Sequence, residues 1–242
     1  MRMSCQFEAE SVPVSYRMMF VSLIKQALKS ASDEYFQQMY YYDDKSNKQT
    51  KNFCFAVFLK NYEKQGDDFK LKEGLDFNIS SPDRTFMAYL MNGLLGTKSF
   101  SYKGYMLERK GMHMLPEKNI FEEKVYFKTL SPIHIVDKHE KPLSPCDEAF
   151  ARELNYTADM MLTNFRGDGL KRPLEFEPVN MKKMVIKEEI SEFQKNTGKK
   201  YMYLESYGGT FALAGDVNDL KDIYALGLSM RRSQGFGMLE VI

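Results

Sequence analysis

The chain has 242 residues, of which 43% are hydrophobic and 28% charged, so it is long enough for one large or two small globular domains and too apolar to be disordered. Its formal net charge is +1, which confines any nucleic-acid site to a local basic patch. Three cysteines (Cys5, Cys54, Cys146) without CxxC spacing argue against a zinc site or a disulfide framework.

Residues 2–8 alternate, with Met3, Cys5 and Phe7 on one face, as a half-buried strand does. After Pro13, apolar residues at helical spacing predict a helix over 15–29, with Met19, Leu23, Ala27 and Leu28 inward. A second helix is expected over 32–40, followed by a polar, lysine-rich loop over 43–51. Residues 52–60 read as a strand with Phe53, Phe55, Val57 and Leu59 on one side. Two short strands, 69–71 and 75–79, are expected to form a hairpin around Glu73 and Gly74. Pro82 opens a helix that Gly96 ends, and 100–109 is strand again. The order is strand, helix, strand, strand, helix, strand, a ferredoxin-like unit.

The second half repeats that order. A strand over 124–136 is interrupted at Ser131 and Pro132, and a helix over 144–164 aligns Phe150, Leu154, Ala158 and Met161. Residues 168–178 read as an exposed loop. Strands are expected over 180–190 and 200–214, a helix over 216–225 and a last short strand over 238–242. The expected class is α+β, two tandem ferredoxin-like (βαββαβ) domains over 1–115 and 120–242. No apolar run approaches membrane-spanning length and no signal-peptide pattern opens the chain, so a cytoplasmic location is expected.

The stretch between the last helix and last strand is the most informative. Gly227, Gly235 and Gly237 flank Arg231 and Arg232. Backbone amides and guanidinium groups in a glycine-lined loop suit a polyanion. By composition alone, a plain helix-ending turn is the simpler reading.

As a sequence, the run from Gly227 through Leu228, Ser229, Met230, Arg231, Arg232, Ser233 and Gln234 to Gly235-Phe236-Gly237 resembles the C-terminal glycine-rich loop of the CRISPR repeat-processing endoribonucleases, the sixth Cas family of the RAMP RNA-binding superfamily. Ser229 departs from that pattern, standing where the family has its second early glycine. The resemblance spans the chain: Val14 to Leu28 is similar to the family's first helix, and Phe53-Cys54-Phe55 to its Phe-Thr-Phe strand. Met91 to Leu95 is a further marker, and Thr129 to Ile133 is similar to its Leu-Ser-Pro-Ile strand. The resemblance implies two tandem ferredoxin-like domains and CRISPR repeat RNA (precursor crRNA) as partner. It also implies metal-free attack of a ribose 2′-OH on its neighbouring phosphate, leaving a 2′,3′-cyclic phosphate and a 5′-hydroxyl.

The family places a tyrosine in the first helix, a histidine after the second helical stretch and a lysine before the Phe-Thr-Phe strand. At those positions this sequence has Lys25, Tyr40 and Lys51, so only the lysine is kept. Each also has a simpler reading: Lys25 as a solvated residue, Tyr40 to Tyr42 as packing or a base-stacking platform, and Lys45, Lys48 and Lys51 as a solvated loop. His113, His134 and His139 offer a different base, but none falls at the family position. For RNA contacts the candidates are Arg231 and Arg232 with Gly227, Gly235 and Gly237, then Lys182, Lys183 and Lys187 on an alternating strand, and a looser group of Arg166, Lys171 and Arg172. No cofactor and no metal ligands are expected. A CRISPR effector complex is a possible further partner, with the chain a monomer or homodimer. The rival to a nuclease is a repeat-RNA-binding protein with little or no catalysis that delivers RNA to such a complex.

Overall fold

The computed structural model of the protein describes residues 1–42, 45–47 and 49–242; Asp43, Asp44 and Lys48 of the expected loop lie outside them. The first half contains β1 (Arg2–Glu8), β2 (Ser11–Pro13), α1 (Arg17–Ala31), α2 (Asp33–Tyr40), β3 (Tyr41–Tyr42), β4 (Lys45–Ser46), β5 (Cys54–Leu59), β6 (Tyr62–Gln65), β7 (Asp68–Leu71), β8 (Leu75–Ser80), α3 (Arg84–Gly96), β9 (Ser99–Tyr102) and β10 (Tyr105–Met114). Its main sheet runs β5-β8-β1-β10-β9. That is the ferredoxin-like order with one hairpin strand added at the edge.

Met3, Cys5 and Phe7 alternate into the core, where α1 contributes Met19, Leu23, Ala27 and Leu28, all buried. The helices touch closely at Gly93: a Cβ there would stand 1.8 Å from the carbonyl oxygen of Ala27. This packing explains the glycine within Met91 to Leu95, and it turns Lys25 outward from the same helix. Ser32 ends α1 and caps α2, its hydroxyl accepting from the Tyr35 amide at 3.1 Å.

The second half contains β11 (Lys124–Thr129), α4 (Glu148–Arg166), β12 (Glu175–Glu188), α5 (Ser191–Thr197), β13 (Met202–Ala214), α6 (Val217–Leu226), a 3₁₀ turn (Arg232–Gln234) and β14 (Leu239–Val241). The sheet order β12-β13-β11-β14 is again ferredoxin-like. Phe127, Phe150, Phe176 and Phe211 pack together beneath α4 and α6. The tandem ferredoxin-like fold expected from the sequence is the fold observed.

Several expected elements differ. The two short strands do not pair with each other: β7 joins β2 and β6 in a separate three-stranded sheet, while β8 enters the main sheet. Residues 100–109 divide into the β9–β10 hairpin at Lys103 and Gly104, both at positive φ. Lys45 and Ser46, expected in the loop, pair with Tyr41 and Tyr42. Glu175 to Pro178 is strand rather than loop, and the register shifts between Pro178 and Asn180, where proline has no N–H for the ladder.

The halves meet through the second face of the first sheet. Cys54 and Ala56 on β5 pack against Met238. Arg2, 1% exposed, donates to the Leu239 carbonyl at 2.6 Å, pairs with Glu240 and lies 4.5 Å over the Tyr224 ring. The Ser80 hydroxyl donates to the Ala225 carbonyl at 2.8 Å.

Candidate active site

α1, α2 and the segment leading into β5 bring Lys25, Tyr40 and Lys51 together, although 26 positions of sequence separate the outer two. The two ammonium groups bracket one phenol ring: Lys25 Nζ lies 4.8 Å and Lys51 Nζ 5.3 Å from the Tyr40 ring centroid. Lys51 is also held by its backbone neighbours, donating to the Met39 carbonyl at 2.6 Å and the Asn47 carbonyl at 3.3 Å. Burial, and then the charge of Lys25, lower the Lys51 pKa from the usual lysine value. Burial raises that of Tyr40, with a smaller push from Tyr35. The phenol of Tyr40 is thus held in its protonated form, and Lys51 gives up its proton more readily than an ordinary lysine does.

The three side chains line a cleft of about 590 Å³. Its other wall comes from the second half: α4 supplies Tyr156 and Met160, and the glycine-rich loop supplies Ser229 to Gln234. Among the described lining residues there is no carboxylate and no imidazole. Ammonium, guanidinium, phenol and amide groups in a concave site suit a phosphate ester.

The glycine loop reaches the cleft because it is packed tightly on both sides. Gly235, at φ +85°, has the Phe55 ring 2.8 Å from where a Cβ would be, and its carbonyl accepts from Arg17 Nε at 3.2 Å. Gly237, at φ +71°, faces the Ser229 Cβ at 2.5 Å in the same construction. Gly227 likewise abuts Cys54, so the three glycines serve close packing first. Ser229 is buried. Its hydroxyl accepts from the His134 amide at 2.9 Å and donates to the Met230 carbonyl at 2.6 Å, fastening the loop to residues 131–134.

The two arginines do different things. Arg231, in the left-handed region at φ 59°, is half-buried and bonds to Gln234 Oε1 at 3.1 Å at the cleft wall. Arg232 is 3% exposed and donates to the Leu226 carbonyl at 2.7 Å, its pKa pulled down to about 10 by burial. The expectation of two surface cations is corrected here to one.

The strand lysines lie away from this cleft, and two are already paired. Lys183 meets Glu205 at 2.5 Å, and Lys187 meets Asp67 at 2.7 Å while covering the Tyr201 ring at 3.7 Å. Lys182 is exposed and has no carboxylate partner among the described residues. Arg166, Lys171 and Arg172 are bound to Asp219, Asp216 and Glu123, pinning α6 and the approach to β12. His134 is buried, its Nδ1 is 2.7 Å from the Glu205 carbonyl, and burial lowers its pKa.

Sequence reasoning missed Tyr156 and Met160. Their signal was present: both are large apolar residues on a helix whose core stripe is Phe150, Leu154, Ala158 and Met161, and neither falls on that stripe.

Residues 115–241, more than half of the chain, match the family model of the CRISPR associated protein Cas6 C-terminal domain. No curated protein matches the sequence. Among solved structures, a Cas6-related protein from Pyrococcus furiosus superposes with TM-score 0.82 at 17% identity, covering 100% of this chain and 98% of that one. A RAMP protein described as binding different RNA substrates gives 0.80 at 17% identity, covering 100% and 99%. A CRISPR associated protein Cas6 gives 0.76 at 19% identity, also covering 100% and 99%.

Proposed function

The chain belongs to the Cas6 family of CRISPR-associated proteins, and on that premise we propose that it is a metal-independent endoribonuclease that cuts CRISPR precursor RNA within its repeats to release guide RNAs. Family membership by itself supports processing or binding of repeat RNA. The observation that carries the finer reading is the convergence of Lys25, Tyr40 and Lys51 from three elements onto one cleft that also receives Arg231.

The chemistry follows from that set. The ribose 2′-oxygen attacks the adjacent phosphorus as its proton passes to the neutral amine of Lys51. The P–O5′ bond breaks, and Tyr40 delivers its phenolic proton to the departing 5′-oxygen. Lys25 and Arg231 offset the charge that builds on the non-bridging oxygens. The products are a 2′,3′-cyclic phosphate and a 5′-hydroxyl. A base drawn from lysine is less available than an imidazole at neutral pH, so the rate is expected to climb as pH rises toward the lowered Lys51 pKa.

The test is single-turnover cleavage of a repeat RNA from the array of the source genome, in EDTA. Lys51→Ala and Tyr40→Phe should each slow the chemical step by about 100-fold or more while leaving affinity for a 2′-deoxy-blocked repeat within a few-fold. Equal losses in binding and rate would remove both residues from the chemistry. A second reading, a repeat-RNA binder that hands its RNA to an effector complex, is favoured by one observation, that no imidazole is among the described lining residues. A stable uncut complex in the same assay supports it.

A further inference from the structure

Tyr156 and Met160 are 60% and 52% exposed, a heavy exposure for two large apolar side chains one helical turn apart. Leu154, Ala158 and Met161 on the same helix are buried in the core, so the exposed pair occupies another face. Among the described residues, the Tyr156 ring has no aromatic or cationic partner, and its hydroxyl makes no hydrogen bond. Both side chains open into the cleft that holds Lys25, Tyr40 and Lys51, where Met18, Val21 and Met230 extend the apolar lining. The cleft thus carries cations from both halves, Lys25 and Lys51 on one wall and Arg231 on the other, with an apolar surface beside them.

We propose that Tyr156 and Met160 form a stacking platform for one unpaired RNA base adjacent to the phosphate bound by the lysines. The inference rests on the reading above that the cleft takes RNA, and it adds how a single nucleotide is held there. A nucleotide is itself two-sided, with an anionic phosphate and a flat π face, and the cleft offers a matching surface to each. A base inside a duplex has both faces covered by its neighbours, so the platform favours RNA that is unpaired at the cut over continuous duplex.

A second observation fixes the platform relative to the chemistry. Asn164, further along α4, donates from Nδ2 to the Thr50 carbonyl at 2.9 Å and to Asn52 Oδ1 at 3.4 Å. Thr50 and Asn52 flank Lys51. The helix carrying the platform is therefore tied directly to the segment carrying the lysine, which holds base and phosphate subsites at a set spacing.

The chain contains no tryptophan, so Tyr156→Trp introduces a single indole into the cleft. Saturating 2′-deoxy-blocked repeat RNA should quench its emission strongly, while an indole at the 79%-exposed Phe121, outside the cleft, stays unchanged. Tyr156→Ala should weaken binding by about five- to a hundredfold, and Tyr156→Phe should stay within about twofold because the π face is retained. Making the base beside the cut abasic should cost the native protein a similar factor and the Tyr156→Ala variant almost nothing. Circular dichroism melts confirm that each variant is folded. Unquenched emission at saturation, or native affinity for Tyr156→Ala, overturns the platform while leaving cleavage by the lysine and tyrosine set intact. If the native protein neither binds nor cuts repeat RNA, the functional reading falls, and the platform falls with it.

Discussion

Glu188 offers a stability test worked entirely from the seam between the halves. The residue is 2% exposed. One oxygen accepts from Arg17 Nη1 at 3.3 Å, and the other has no partner among the described residues. Burial raises its pKa to about 7 from an ordinary 4.5, against the opposing pull of Arg17 and Arg231. The folded chain thus keeps a proton that the unfolded chain has released between these values. Stability from this group is fully present below pH 4.5 and declines as pH rises to 7. At about 1.4 kcal/mol per pH unit, the loss over that window is about 3 kcal/mol. Glu188→Gln keeps an oxygen for Arg17 and removes the titration. Urea unfolding of both proteins from pH 4.5 to 8 should therefore show the variant gaining about 3 kcal/mol relative to the native chain. The difference cancels the other titrating groups. Parallel stability curves would refute the reasoning, showing that Glu188 is already charged in the fold or reaches water.

Two further predictions concern the glycine loop. Arg231→Ala should lower the salt slope of RNA binding by about one unit, whereas Arg232→Ala should leave the slope alone and cost about 1–3 kcal/mol of stability by emptying a buried site; filter binding across a salt series and urea melts separate the two. Gly235→Ala places a Cβ 2.8 Å from the Phe55 ring at positive φ, and should both destabilise the protein and weaken RNA binding. Gly66→Ala, at φ +62° with open space around it, is the control: a cost of about 1 kcal/mol with RNA affinity unchanged.

The alternation of Met3, Cys5 and Phe7 and the helical spacing of Met19, Leu23 and Ala27 made the ferredoxin-like frame legible, because one face of each element meets a single core. Periodicity failed where an element is buried on two faces. Cys54 and Ala56 point away from the first core, yet they are fully buried because Met238 of the other half covers them. It failed again for partner choice: β7 and β8 have hairpin spacing, but β7 finds β2, and strand pairing across a chain leaves no local mark. Charged residues were the least legible. Arg231 and Arg232 are the same residue type side by side, yet Arg231 is half-buried at a left-handed turn while Arg232 is 3% exposed with its guanidinium on the Leu226 carbonyl. Lys25, Tyr40 and Lys51 were singled out through the family pattern; nothing in their spacing alone brings them together.

The cleft is a product of the seam rather than of either half. Lys25, Tyr40 and Lys51 stand on the first ferredoxin unit, while Tyr156, Met160 and Arg231 stand on the second. What holds these sets in register includes the buried contacts of Arg17 to Gly235 and Glu188 and of Arg2 to Leu239, and the exposed contact of Asn164 to Thr50. Arg17 is the hinge of that list. It lies 5.2 Å over the Phe236 ring while bonding to the loop carbonyl and to β12 together. The loop has tight steric partners on both sides, so a shift of the seam moves Arg231 with it and does not leave it in place. Where reacting atoms must align, a misplacement of about 1 Å can cost about a hundredfold in rate. The seam contacts are therefore part of how the candidate site is positioned.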